Sequence, residues 1–103
     1  MSNWVEVGKL EDIPALGSRI VKTADFDIAV FRTSSDEVFA VKDVCPHRQG
    51  KLSQGIVHGK KVTCPLHNWN ISLENGEALD PDVGCTNVYV AKVEKGLVSI
   101  ELG

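Results

Sequence analysis

Four metal-loving side chains in two short groups constrain this chain more than anything else in it. The first group reads Cys45-Pro46-His47 and the second Cys64-Pro65-Leu66-His67. The whole chain has only three cysteines and three histidines, so four of the six fall in these groups. Each group pairs one thiolate with one imidazole, and each thiolate is followed by a proline that fixes φ. A fold that brings the two groups together has to join two loops at one end of the molecule.

The short segment between the groups supplies the means. Gln54 to His58 and Lys61 to Cys64 read as strands around a Gly59-Lys60 hairpin turn, which returns the chain beside itself. Two soft sulfur and two nitrogen ligands are what a mixed-ligand [2Fe–2S] cluster takes, with two Cys on one iron and two His on the other. Two other readings use the same residues. A Cys2His2 set also binds zinc, although structural zinc sites usually pair like with like as C-x2–4-C and H-x3–5-H. A Cys45–Cys64 disulfide would leave both histidines unexplained and would suit an oxidising compartment.

The remainder of the chain is punctuated into short strands, with no sustained 3.6-residue apolar period. Trp4 to Val7 is a strand, and Leu10 to Leu16 a connection with one helical turn. Ser18 to Thr23 and Asp27 to Arg32 are strands around Ala24-Asp25. In the second, Ile28 and Val30 alternate with Ala29 and Phe31, apolar on both faces, which predicts burial on two sides. Ser34-Ser35-Asp36 is a turn and Val38 to Val41 returns. The first ligand loop runs from Asp43 to Ser53. Trp69 to Leu73 and Glu77-Ala78 flank Glu74-Asn75-Gly76, whose Asn-Gly is a strong hairpin signal. Asp80 to Cys85 is a loop. Two last strands, Asn87 to Val93 and Leu97 to Leu102, meet across Lys95-Gly96. An all-β, antiparallel fold follows.

At 103 residues, this length predicts one domain, 1–103, with a ligand-bearing subdomain over about 43–85. A net charge of −3 argues against a nucleic-acid binder. No basic start followed by an apolar run marks a signal peptide, and no apolar stretch is long enough for a membrane span. An odd cysteine count without a secretory signal points to reduced thiols or metal ligands, with the cytoplasm as the expected location.

Cys45-x-His47 with Cys64-x2-His67, set among strands throughout, resembles the Rieske family. That resemblance implies a β-sandwich base with a small cluster-binding subdomain formed by two loops. Cys45 and Cys64 would hold the inner iron, and His47 and His67 the outer iron near solvent. The run from Cys64 to Gly76, with Asp80-Pro81-Asp82-Val83-Gly84-Cys85 after it, is most similar to the small subunit of assimilatory NAD(P)H-dependent nitrite reductase. Rieske ferredoxins of ring-hydroxylating dioxygenases usually carry His-Gly-x-x-Phe, where this chain has His67-Asn68-Trp69-Asn70-Ile71.

The resemblance further implies electron transfer, since irons fully ligated by protein and sulfide leave no open position for a substrate. This chain alone is then expected to make no bonds, and to act as a subunit of an oxidoreductase. Its partner would be a large nitrite reductase subunit with FAD, a [4Fe–4S] cluster and sirohaem, and neither nucleic acid nor membrane is expected. The alternatives are a free-standing ferredoxin serving a ring-hydroxylating dioxygenase, and a structural subunit whose cluster is dispensable. High-potential relatives carry a loop-bridging disulfide and hydroxyl donors after the second His. Trp69 and Ile71 stand at the hydroxyl positions here, so the expected potential is about −150 mV, the bottom of the Rieske range.

Two further residues get a reading. His58, at the hairpin, is expected to be a surface histidine outside the ligand set. Cys85 is expected to be a small buried hydrophobe, with a redox-active thiol as the alternative.

Overall fold

The strand Asp27–Arg32, apolar on both faces, is where the fold is decided. In the computed structural model, which describes residues 4–23, 26–44, 51–64, 69–79 and 84–102, its four central residues are all buried. Ile28 and Val30 point into one apolar cluster, with Val7, Ile13, Ala40, Val98 and Ile100. Ala29 and Phe31 point into a second, with Val41, Leu52, Val57, Val62, Cys64, Ile71 and Leu73. One strand therefore serves as a wall of two cores, and the alternation of its sequence is the reason.

The described residues form ten strands: β1 Trp4–Lys9, β2 Ser18–Lys22, β3 Asp27–Arg32, β4 Val38–Lys42, β5 Ile56–His58, β6 Lys61–Thr63, β7 Asn70–Ser72, β8 Val88–Tyr89, β9 Ala91–Glu94 and β10 Leu97–Glu101. Every pairing among them is antiparallel. They make three sheets, ordered β1-β10-β9, β2-β3-β4-β8 and β5-β6-β7. The middle one is covered on one face by the first sheet and on the other by the third. Thus the all-β reading holds, and the ligand-bearing part contains a sheet of its own.

Arg32, at the end of β3, fastens the connection before β2. Its guanidinium donates to the Leu10 and Ile13 carbonyls at 3.3 and 2.8 Å, and to Asp36 Oδ1 at 2.9 Å from Nε. The expected helical turn is a short 3₁₀ turn, Leu10–Asp12.

Three sequence readings need correction. Gln54 belongs to a 3₁₀ turn, Leu52–Gln54, and not to the strand that follows. Glu77 and Ala78 make isolated bridges, to Cys85 and Ile71, where a strand is expected. At the Asn-Gly turn before them, Asn75 Oδ1 accepts the Glu77 N–H at 2.9 Å and Gly76 takes φ +77°, a conformation suited to glycine. The expected strand Asn87 to Val93 is two strands in different sheets. β8 pairs with β4, β9 pairs with β10, and Val90 lies between them with its carbonyl accepting the Glu101 N–H at 2.8 Å. The alternation runs unbroken through both, because Tyr89 of β8 and Ala91 of β9 pack against the same apolar cluster although the strands pair in different sheets.

Candidate metal centre

Of the four expected ligands, Cys64 is described; Cys45, His47 and His67 lie outside the described residues. Cys64 follows β6 directly and is 1% exposed, inside the apolar cluster shared with Phe31, Leu52 and Ile71. Its position follows from the strand before it. Val62 faces inward, Thr63 outward, and the next residue inward again.

The described chain on either side of each ligand-bearing segment is tied together at its base. Asp43 and Ser53 flank the first segment. The Ser53 N–H donates to Asp43 Oδ1 at 2.7 Å and the Ser53 hydroxyl to Oδ2 at 2.8 Å. Across the second segment, the Cys64 N–H donates to the Trp69 carbonyl at 2.7 Å. Between Leu79 and Gly84, a third neck closes through the Ala78 N–H to the Gly84 carbonyl at 2.8 Å.

These three necks meet. Leu79 N–H donates to the Asn70 carbonyl at 2.9 Å, and Asn70 pairs with Thr63, next to Cys64. Gly55, just past the first neck, passes so close to Thr63 that a Cβ there would overlap the Thr63 carbonyl oxygen and crowd Val62. Leu52, Cys64, Trp69 and Ala78, one or two from each neck, pack in a single cluster. Gly55→Ala is accordingly expected to cost about 1–3 kcal/mol, as overpacking does. Thermal unfolding of the variant checks this, and an unchanged midpoint would refute the close approach.

The donor chemistry fits a mixed-ligand cluster. A thiolate leaves a buried β6 terminus at the meeting of three loop bases, and the adjoining segments carry the second thiolate and both imidazoles. Among the described residues no three potential ligands gather elsewhere. His58 is exposed at the end of β5 with Nε2 2.6 Å from Thr63 Oγ1, as its surface reading requires. Cys85 corrects its reading: it is exposed, held at the third neck by its bridge to Glu77. Directly paired residues share one face, and Cys85 shares its face with exposed Glu77. Trp69 is partly buried against the core cluster.

The partners that close the first neck, Asp43 and Ser53, carry no mark in the sequence beyond their place at the loop boundary. Asp43 and Ser53 bound the loop as read, but their pairing is a tertiary fact.

Ten short antiparallel strands with loop bases converging on a buried cysteine define an all-β domain. The profile of the Rieske [2Fe–2S] domain matches residues 3–91, and the chain belongs to that family, whose cofactor is the Rieske cluster. The ferredoxin component of the naphthalene 1,2-dioxygenase/salicylate 5-hydroxylase systems from Ralstonia sp. is 29% identical over 101 residues, 97% of this chain and 96% of its own. The E. coli protein NirD is 28% identical with a TM-score of 0.85, over 100% of this chain and 99% of its own. A chain proposed as an NADH-dependent nitrite reductase small subunit from Mycobacterium tuberculosis has the same fold. Its TM-score is 0.89 at 24% identity, over 100% of this chain and 97% of its own.

Proposed function

We propose that residues 1–103 act as one Rieske unit holding its cluster through Cys45, His47, Cys64 and His67. The observation that carries this is the buried Cys64 at the junction of three tied loop bases, in a chain whose family match spans both ligand groups. Bound there, the cluster would take up and release one electron at a time. The protein's part is to keep water from the inner thiolate with the Phe31, Leu52 and Ile71 side chains and to tie the loop bases together. Outer partners of this kind would orient the ligands.

For the partner, the reading is the large subunit of an NAD(P)H-dependent nitrite reductase carrying FAD, [4Fe–4S] and sirohaem, which reduces nitrite to ammonium in nitrate assimilation. The sequence from Cys64 to Gly76 and the likeness to NirD support it. A second reading is favoured by the near full-length identity to the Ralstonia ferredoxin component: a carrier feeding a ring-hydroxylating dioxygenase. The cytoplasm is the proposed setting, where thiol ligands stay reduced. Among the described residues, no helix is long and apolar enough to cross a membrane.

Anaerobic purification tests the cluster first, by iron and acid-labile sulfide assay and by EPR of the reduced protein, with a rhombic mixed-ligand signal expected. The loaded protein is then added to each kind of partner. NAD(P)H-dependent nitrite consumption by a flavin–sirohaem subunit should depend on this chain. Support of dioxygenase turnover with no effect on nitrite reduction would replace the first reading by the second.

A further inference from the structure

We propose that the buried carboxylate of Asp43 does more than close the first ligand loop: its negative charge holds the midpoint potential of the bound cluster down. The inference rests on the ligand assignment proposed above and deepens it.

Asp43 is 4% exposed at the end of β4. Both of its carboxylate oxygens accept hydrogen bonds from one residue, Ser53, through the backbone N–H and the hydroxyl. One residue thus occupies both oxygens and fixes the orientation of the carboxyl group. The pair is anchored to the central sheet from both sides. The Asp43 N–H donates to the Asp27 carbonyl of β3 at 2.9 Å, and the Ser18 hydroxyl of β2 donates to the Ser53 carbonyl at 3.0 Å. The neck is thus fixed to the scaffold independently of what the loop carries.

Shape alone does not call for a charge here. An asparagine would offer an oxygen to the Ser53 N–H and an amide N–H to the Ser53 hydroxyl, which can accept as well as donate. The carboxylate adds a unit negative charge in a buried place, and among the described residues no lysine or arginine forms an ion pair with it. Two peptide units separate Asp43 from Cys45, so covalent geometry keeps their α-carbons within about 7.6 Å. A buried charge at such range is poorly screened by salt. It favours the more positive, oxidised state of a nearby metal group, and net charge is one of the terms that set such potentials.

The test is a redox titration, by visible circular dichroism or EPR, of the iron-loaded full chain and two variants. Asp43→Asn removes the charge and keeps the neck; its midpoint is expected to rise by a tenfold change in the reduction equilibrium, about 59 mV for one electron. Ser53→Ala keeps the charge and removes one donor that partly neutralises it; its midpoint is expected to fall. An Asn variant that loads iron with an unchanged or lower midpoint overturns the proposal. Should the Asn variant fail to load, an unchanged or higher midpoint in Ser53→Ala overturns it. A wild-type chain that takes up no cluster refutes instead the ligand assignment on which the proposal stands.

Discussion

Replacing Cys64 by serine is expected to strip the chain of iron while leaving its strands in place. A serine hydroxyl is a poor substitute for thiolate towards iron held in a sulfide cluster, where soft sulfur ligation is the rule. The side chain is 1% exposed, so solvent offers no replacement ligand at that point. The fold should survive, because the backbone of Cys64 keeps its hydrogen bond to Trp69. Placing a more polar hydroxyl among Phe31, Leu52 and Ile71 is expected to cost about 1–3 kcal/mol. Iron and sulfide assayed on the purified variant should fall from a full cluster to near zero, with far-ultraviolet circular dichroism unchanged. Cys85→Ser, altering an exposed thiol at the third neck, serves as the control and should retain its iron. A Cys64→Ser protein with wild-type iron content would remove Cys64 from the ligand set.

Phe31→Ala carries the largest expected penalty in stability. The ring is fully buried and sits on the face of β3 that looks toward Cys64. Truncation loses the transfer free energy of the ring and leaves a cavity between two sheets that are each pinned elsewhere, so collapse is limited. The expected loss is about 3–5 kcal/mol. Set against a total of about 5–15 kcal/mol for a typical native protein, that is a large share. For a chain of this size the melting midpoint should drop by roughly 15–30 °C. The comparison is Ile28→Val, three residues earlier and on the opposite face, expected to cost about 0.5–1.5 kcal/mol. Denaturant melts of both variants measure this directly. A loss below 1 kcal/mol in Phe31→Ala would mean that the cluster on that side repacks freely, contrary to its tie to three loop bases.

The residues of β3 show why so much of this fold was legible. A strand buried on both faces must be apolar at every central position, and Ile28-Ala29-Val30-Phe31 is. The β5–β6 hairpin was equally readable, because Gly59-Lys60 separates Val57 from Val62 and both are buried. Val90 was not readable. A change of sheet within a continuous extended run leaves no composition signal, since β8 and β9 remain locally extended on both sides of it. Cys85 misled for a related reason. A small sulfur side chain is a good core residue by chemistry alone, and its exposure follows from pairing opposite exposed Glu77, which no local pattern shows. The candidate ligands were legible by type and grouping. What the sequence did not contain is the set of hydrogen bonds at the loop bases, because Asp43 to Ser53 and Ala78 to Gly84 are partnerships across chain separations that no local pattern encodes.

The pairing of β1 with β10 has a consequence for how the molecule comes into being. Trp4 lies opposite Glu101 and Lys9 opposite Leu97, so β1 waits for residues far later in the chain before it finds its neighbour. Contacts that close such long loops are entropically late and make folding slow. During translation the emerging chain can build β2 to β4 and the β5–β6 hairpin, all joined by short connections, while the outer sheet of the base stays open. Closure of the outer sheet therefore follows synthesis of β10, after the inner sheets have their partners.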